Sequence, residues 1–192
     1  ASSHDGPLSW ALGGLLFAAA LARDREVATE AGRALDSLGA HPAALFDTAI
    51  RRARAWEAVA AGDPERARVL LWDAADEARS RGAVLDEAAA LHDLVRLGRA
   101  HEVAERLGRL ADDAQGPYLR MLADNAAAHA RGDPTALGDV AERFAASGFS
   151  LRAAESADPG MRALVERLLA ADAEAGGVLD APTGEFLAEA AR

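Results

Sequence analysis

The side chains of this chain that could carry chemistry are five histidines, three tryptophans and a basic complement of twenty-one residues, all of them arginine. Most of the reactions such groups support are excluded by spacing. His101-Glu102 lacks the second histidine four residues on that a helical zinc-protease motif requires, and Glu105 holds that place. His4 and His41 have no ligand-type spacing near them. The carboxylate pairs Asp112-Asp113 and Asp73 with Asp76 lie where a water-exposed helix keeps its charge, and nothing in their setting separates an acid from a base. Gly13-Gly14 has neither the spacing nor the lysine of a phosphate cradle. Without lysine there is no Schiff base, and without cysteine there is no thiolate nucleophile, disulfide or cysteine-based zinc site. The expectation is a chain that binds and does not catalyse, with no metal and no cofactor.

The candidates that remain are Trp10, Phe17, Arg52, Trp56, His92, Asn125 and His129. What groups them is a repeat. Gly62-Asp63-Pro64 and Gly132-Asp133-Pro134 are copies of one helix stop and start: the glycine ends a helix in a left-handed turn, the aspartate caps the next, and the proline takes its first position. Arg23-Asp24 and Gly98-Arg99 stand at matching places, near the tetratricopeptide period. The fifth, ninth and twelfth residues after each anchor are Ala28, Gly32 and Leu35; Ala67, Leu71 and Ala74; Val103, Leu107 and Leu110; Leu137, Ala141 and Phe144. All are small or apolar, as packing of the second helix on the first demands.

Seven and four residues before each anchor lie Leu16 and Ala19, Ala55 and Ala58, Leu91 and Leu94, and Asn125 and Ala128. Asn125 breaks the pattern, so its amide is either a hydrogen-bonded staple, the favoured reading, or part of a polar pocket. Positions ten, six and three before the anchors should line the concave face of stacked pairs. This rule brings Phe17, Arg52, Trp56, His92 and His129 into one groove with Trp10 at its end. Guanidinium, indole and imidazole on one surface suit a small anionic or sugar-like ligand, or a peptide. The competing reading is that Trp10 and Trp56 fill an alanine-rich core.

The pattern predicts an all-α chain: a right-handed solenoid of about four antiparallel helix pairs over residues 1–148, followed by a C-terminal helical cap or spacer over 149–192. Helices are expected over 8–22, 25–38, 43–61, 64–81, 84–97, 100–114, 117–131 and 134–147. Beyond Gly148 the register fails. A short apolar stretch, 149–157, precedes Asp158-Pro159, which reopens a helix, and a last segment begins near Thr183.

The formal net charge of −10 repels phosphate backbones, and the arginines are scattered among carboxylates, so direct nucleic-acid contact is not expected. Residues 11–22 imitate a signal-peptide core, but His4 and Asp5 precede them where a basic segment belongs. The stretch is also too short to span a bilayer, so it reads as a buried first helix and the chain as cytoplasmic, without membrane contact. Ala1 is not an initiator methionine, which suggests a piece of a longer polypeptide.

Residues 53–157 resemble the helical-repeat region of actinobacterial ATP-dependent LuxR-type (MalT-like) transcriptional regulators. The resemblance is carried by Ala53-Arg54-Ala55-Trp56 leading to Gly62-Asp63 and by Arg66-Ala67-Arg68-Val69-Leu70-Leu71. It continues through the stretch Ala88 to Arg99, above all Ala90-Leu91-His92-Asp93-Leu94-Val95-Arg96-Leu97-Gly98-Arg99, then Gly132-Asp133-Pro134 and Val140-Ala141-Glu142-Arg143-Phe144. The resemblance implies the middle region of such a regulator, which senses a small-molecule effector or peptide and relays binding to protein partners, self-association and a DNA-binding module. The alternative is a protein- or peptide-binding scaffold with no small-molecule ligand.

Overall fold

The computed structural model describes residues 5–38, 46–114 and 116–157. Nine α-helices and no strand occur among them: α1 (Asp5–Leu21), α2 (Arg25–Leu38), α3 (Asp47–Ala60), α4 (Pro64–Ser80), α5 (Val84–Arg96), α6 (Ala100–Ala114), α7 (Pro117–Arg131), α8 (Pro134–Ala146) and α9 (Ser150–Ala157). The all-α expectation holds; α1 to α8 lie where the repeat pattern puts helices, and α9 is a helix on the stretch 149–157, where the register was expected to fail. His4, His41, the first residues of the expected helix over 43–61 and everything beyond Ala157 fall outside the described residues.

One backbone device recurs. A residue with positive φ follows a helix at Arg23, Gly62, Gly82, Gly98, Gly132 and Gly148. In each case the next N–H reaches back to a carbonyl in the last turn: Asp24 to Ala19 at 2.9 Å, Asp63 to Ala58 at 2.8 Å, Ala83 to Ala78 at 2.9 Å, Arg99 to Leu94 at 2.9 Å, Asp133 to Ala128 at 3.1 Å and Phe149 to Phe144 at 2.9 Å. This is the left-handed helix stop in its six-to-one form. Three of the turns also start the next helix, because Asp24, Asp63 and Asp133 each accept, through Oδ1, the N–H three residues on at 3.0 Å. Pro64 and Pro134 then open α4 and α8.

The six residues that supply those carbonyls are all buried. The turn therefore fixes which face of the preceding helix looks inward. Eleven of the twelve expected second-helix packing positions are buried as well. The exception is Leu110, half-buried, with Ala111 taking the inward place. The inward face of α6 runs 103, 107, 111 because 3.6 residues per turn favours a step of four there over three.

The chain forms two compact units, Ala1–Arg99 and Ala100–Arg192. In the first, α1 packs on α2 and α3, α3 on α4, and α4 on α5. Its core includes Leu16, Ala19, Ala28, Ala31, Leu35 and Ala53, with Leu12, Phe17, Val27 and Ile50 against it. Arg54 joins α3 to α2, donating through Nη2 to the Gly32 carbonyl at 2.8 Å and to Asp36 at 2.6 Å. In the second unit α6 packs on α7, α7 on α8 and α8 on α9. Phe144 of α8 is fully buried and meets Phe149 edge to face, with ring centroids 6.3 Å apart. The sequence boundary expected at Gly148 lies within this unit, in the turn between α8 and α9.

Because Gly132 sits at φ 61° with open space around it, its need for glycine is conformational and not steric. Gly132→Ala should cost roughly 1–2 kcal/mol, and Asp133→Ala about 1 kcal/mol through loss of the cap. Urea unfolding should show both as lower midpoints with unchanged slope.

Candidate functional site

The first unit brings four of the expected groove residues together through helix spacing. On α3, Ala49, Arg52 and Trp56 stand three and then four residues apart, so they share one face. On α1, Trp10, Gly13, Gly14 and Phe17 follow the same rule. The two faces meet. Phe17 and Trp56 pack edge to face, with centroids 6.3 Å apart and planes at 82°, and the Arg52 guanidinium lies 5.4 Å from the centre of the Phe17 ring.

A third helix closes this contact into a ring of five side chains. Arg52 donates through Nε to Asp93 Oδ2 at 2.7 Å, and Arg96 donates through Nη1 to Asp93 Oδ1 at 3.1 Å. Arg96 in turn lies over the Trp56 indole, 4.1 Å from its centre. Phe17, Arg52, Asp93, Arg96 and Trp56 thus clamp α1, α3 and α5 by two ionic contacts that meet at Asp93 and three π contacts. Asp93 is fully buried, so its carboxylate depends on the two guanidiniums that replace water.

This arrangement gives the expected residues different roles. Trp56 is 7 % exposed, with one neighbour on its face and another at its side; it holds Arg96 and Phe17 in place. Its Nε1 is buried with no hydrogen-bond acceptor among the described residues. His92 is buried in α5. Asn125 belongs to the second unit, where its Nδ2 donates to Ser156 Oγ at 2.8 Å and Ser156 Oγ donates to the Arg152 carbonyl at 2.7 Å. That bond pairs the buried amide's Nδ2 and ties α7 to α9. His129 is half-buried near the end of α7 in the same unit.

Beside the ring, between α1 and α3, lies a cavity of about 390 Å³ lined by Trp10, Ala11, Gly13, Gly14, Phe17, Ala49, Ile50 and Arg52. The volume is that of a small-molecule site. Trp10, 60 % exposed and 6.3 Å from the Phe46 ring, stands at its outer edge. Gly13 brings the helices close: a Cβ there would come within 3.2 Å of Ile50 Cγ1. Arg52 is the one charged residue in the lining, and apart from its bond to Asp93 no described residue receives a hydrogen bond from its guanidinium.

Sequence reasoning found Trp10, Phe17 and Arg52 of this cavity and missed Gly14, Ala49 and Ile50, as well as Asp93 and Arg96 of the ring. Asp93 stands five residues before Gly98, between His92 and the apolar pair Leu94 and Val95; only its burial marks it as an acidic residue that needs a cationic partner. No group of three His, Asp or Glu side chains among the described residues could hold a metal ion. No described helix is long and apolar enough to cross a membrane.

No protein-family model matches the chain, nor does any curated protein or solved structure.

Removing the centre of the ring should be costly. Asp93→Ala leaves two inward-facing guanidiniums without their shared carboxylate and should destabilise the first unit by roughly 3–5 kcal/mol. Denaturant unfolding monitored by tryptophan fluorescence measures it, and a loss below about 1 kcal/mol would mean that the ring does not hold the three helices.

Proposed function

We propose that this chain is the ligand-sensing and protein-interaction helical-repeat domain of a LuxR-type transcriptional regulator, its helix pairs stacked as a right-handed solenoid. The observation that supports a sensing role is the cavity between α1 and α3, where Trp10, Phe17 and Arg52 line one space. Phe17 and Arg52 stand at register positions expected to face a groove, and Trp10 is the residue expected at its end. A ligand seated there would bridge α1 and α3. It would stabilise the arrangement in which both helices contact it, and its differential affinity for that arrangement would be the free energy relayed to neighbouring domains.

A second reading, a peptide-binding scaffold, is favoured by one feature of α1. Leu8 and Leu15, seven residues apart, are each about half exposed, at 48 % and 47 %. They give the helix an apolar strip of the kind that receives a partner helix.

Thermal unfolding of the chain across sugars, nucleotides, metabolites and short peptides separates the readings. A ligand that binds only the folded state raises the midpoint by mass action, by an amount equivalent to about 2.7 kcal/mol at a hundredfold excess over Kd. The sensing role predicts a saturable rise with a small molecule that is lost in Trp10→Ala, an exposed position whose truncation costs little stability. A rise with peptides alone, or a panel without any response, would contradict it.

A further inference from the structure

The chemistry of the cavity wall narrows the ligand, and the inference rests on the sensing role proposed above. Gly14 is the informative residue. It lies in the interior of α1, where glycine costs about 1 kcal/mol relative to alanine, and no packing contact explains it: a Cβ there would meet nothing within 4 Å. Its neighbour Gly13 has a steric reason, the approach to Ile50; Gly14 does not. Gly14 is exposed, and Gly108 in α6 and Gly138 in α8 are open in the same way; what sets Gly14 apart is its place in the lining of the cavity.

The rest of the lining sets the character of what fills the cavity. Trp10 and Phe17 stand seven residues apart on α1, on either side of the glycine pair, and Ala49 and Ile50 of α3 add only hydrocarbon. Apart from Arg52 and the Trp10 indole, the lining offers no side-chain partner for a sugar's hydroxyls. The charged group at one edge is Arg52, whose Nε is committed to Asp93. That bond orients the guanidinium, leaving its Nη side as the geometry for a two-point contact with a carboxylate. As the one cation in the lining, Arg52 matches a single negative charge.

We infer that the cavity binds an apolar monocarboxylate of aromatic or similarly flat shape, its hydrocarbon body over Gly13 and Gly14 between Trp10 and Phe17, and its carboxylate on Arg52.

The test is calorimetric titration of the chain with 2-naphthoate and its uncharged isostere 2-naphthamide, repeated on Gly14→Leu. Leucine at that position removes a mid-helix glycine and points a side chain into open space, so the variant should melt at or above the temperature of the parent. The expected result is binding of 2-naphthoate at least tenfold tighter than of the amide, with both lost in Gly14→Leu. Equal affinity for acid and amide, still blocked by Gly14→Leu, would overturn the role of Arg52 and the ligand class while leaving a sensing cavity. A sugar or nucleotide that stabilises the parent but not Gly14→Leu, with no heat from 2-naphthoate, would likewise overturn the ligand class alone. No response to 2-naphthoate or to any compound of the wider panel would remove both this inference and the sensing role.

Discussion

The left-handed turn that ends six of the helices is the constraint on which the rest of the structure depends. Its back-reaching N–H bonds a carbonyl belonging to a buried residue each time, so the position of the turn in the sequence sets the rotational phase of the helix before it. Once that phase is set, the places five, six and ten before the turn are set with it. Phe17 and Trp56 both stand six before their turns and meet edge to face; Arg52 stands ten before and Asp93 five before theirs, and they pair at 2.7 Å. A slip of one residue in any turn would rotate these groups by about 100° and take the ring apart.

The turns explain why so much of the fold could be read directly from the chain. A glycine, an acidic cap and a proline in succession each have a separate physical reason, and the three agree at Gly62 and Gly132. Gly82 and Gly148 close the second helices α4 and α8 in the same way. Arg23 shows that the place matters more than the residue: it takes φ 59° where the other turns have glycine, and the bond from Asp24 to Ala19 forms all the same.

The site was legible only in part, because register predicts direction and not partnership. Trp56 shares a face of α3 with Arg52 and meets Phe17, as its spacing suggests, but it is buried in the ring and does not line the cavity. Nothing in the spacing says that a guanidinium from α5 would come to lie on its indole. Arg96 and Asp93 read as ordinary charges near the end of an amphipathic helix, and their setting follows from the packing of α3 beside α5, where Arg52 and Asp93 meet from 41 residues apart. Gly14 was passed over for a related reason. A glycine pair in a helix is noticed when it matches a phosphate-binding pattern, whereas the approach of Ile50 to Gly13 and the place of Gly14 in the cavity lining depend on how α3 packs beside α1.

The ring and the cavity divide the labour of one small region. Buried Trp56, Asp93 and Arg96 hold α1, α3 and α5 in register, while Trp10, Gly14 and the outer side of Arg52 form the part that solvent can reach. Because Arg52 belongs to both, an anion bound at the cavity as proposed would be felt by the clamp and would couple occupancy to helix position. The most direct test is the nitrogen–proton spectrum of the three tryptophan indoles during a titration with 2-naphthoate. The account predicts a saturable shift of Trp10, a smaller one of Trp56 through the ring, and an unmoved Trp72 on α4. Shifts confined to Trp72, or three unmoved signals at saturating ligand, would contradict it.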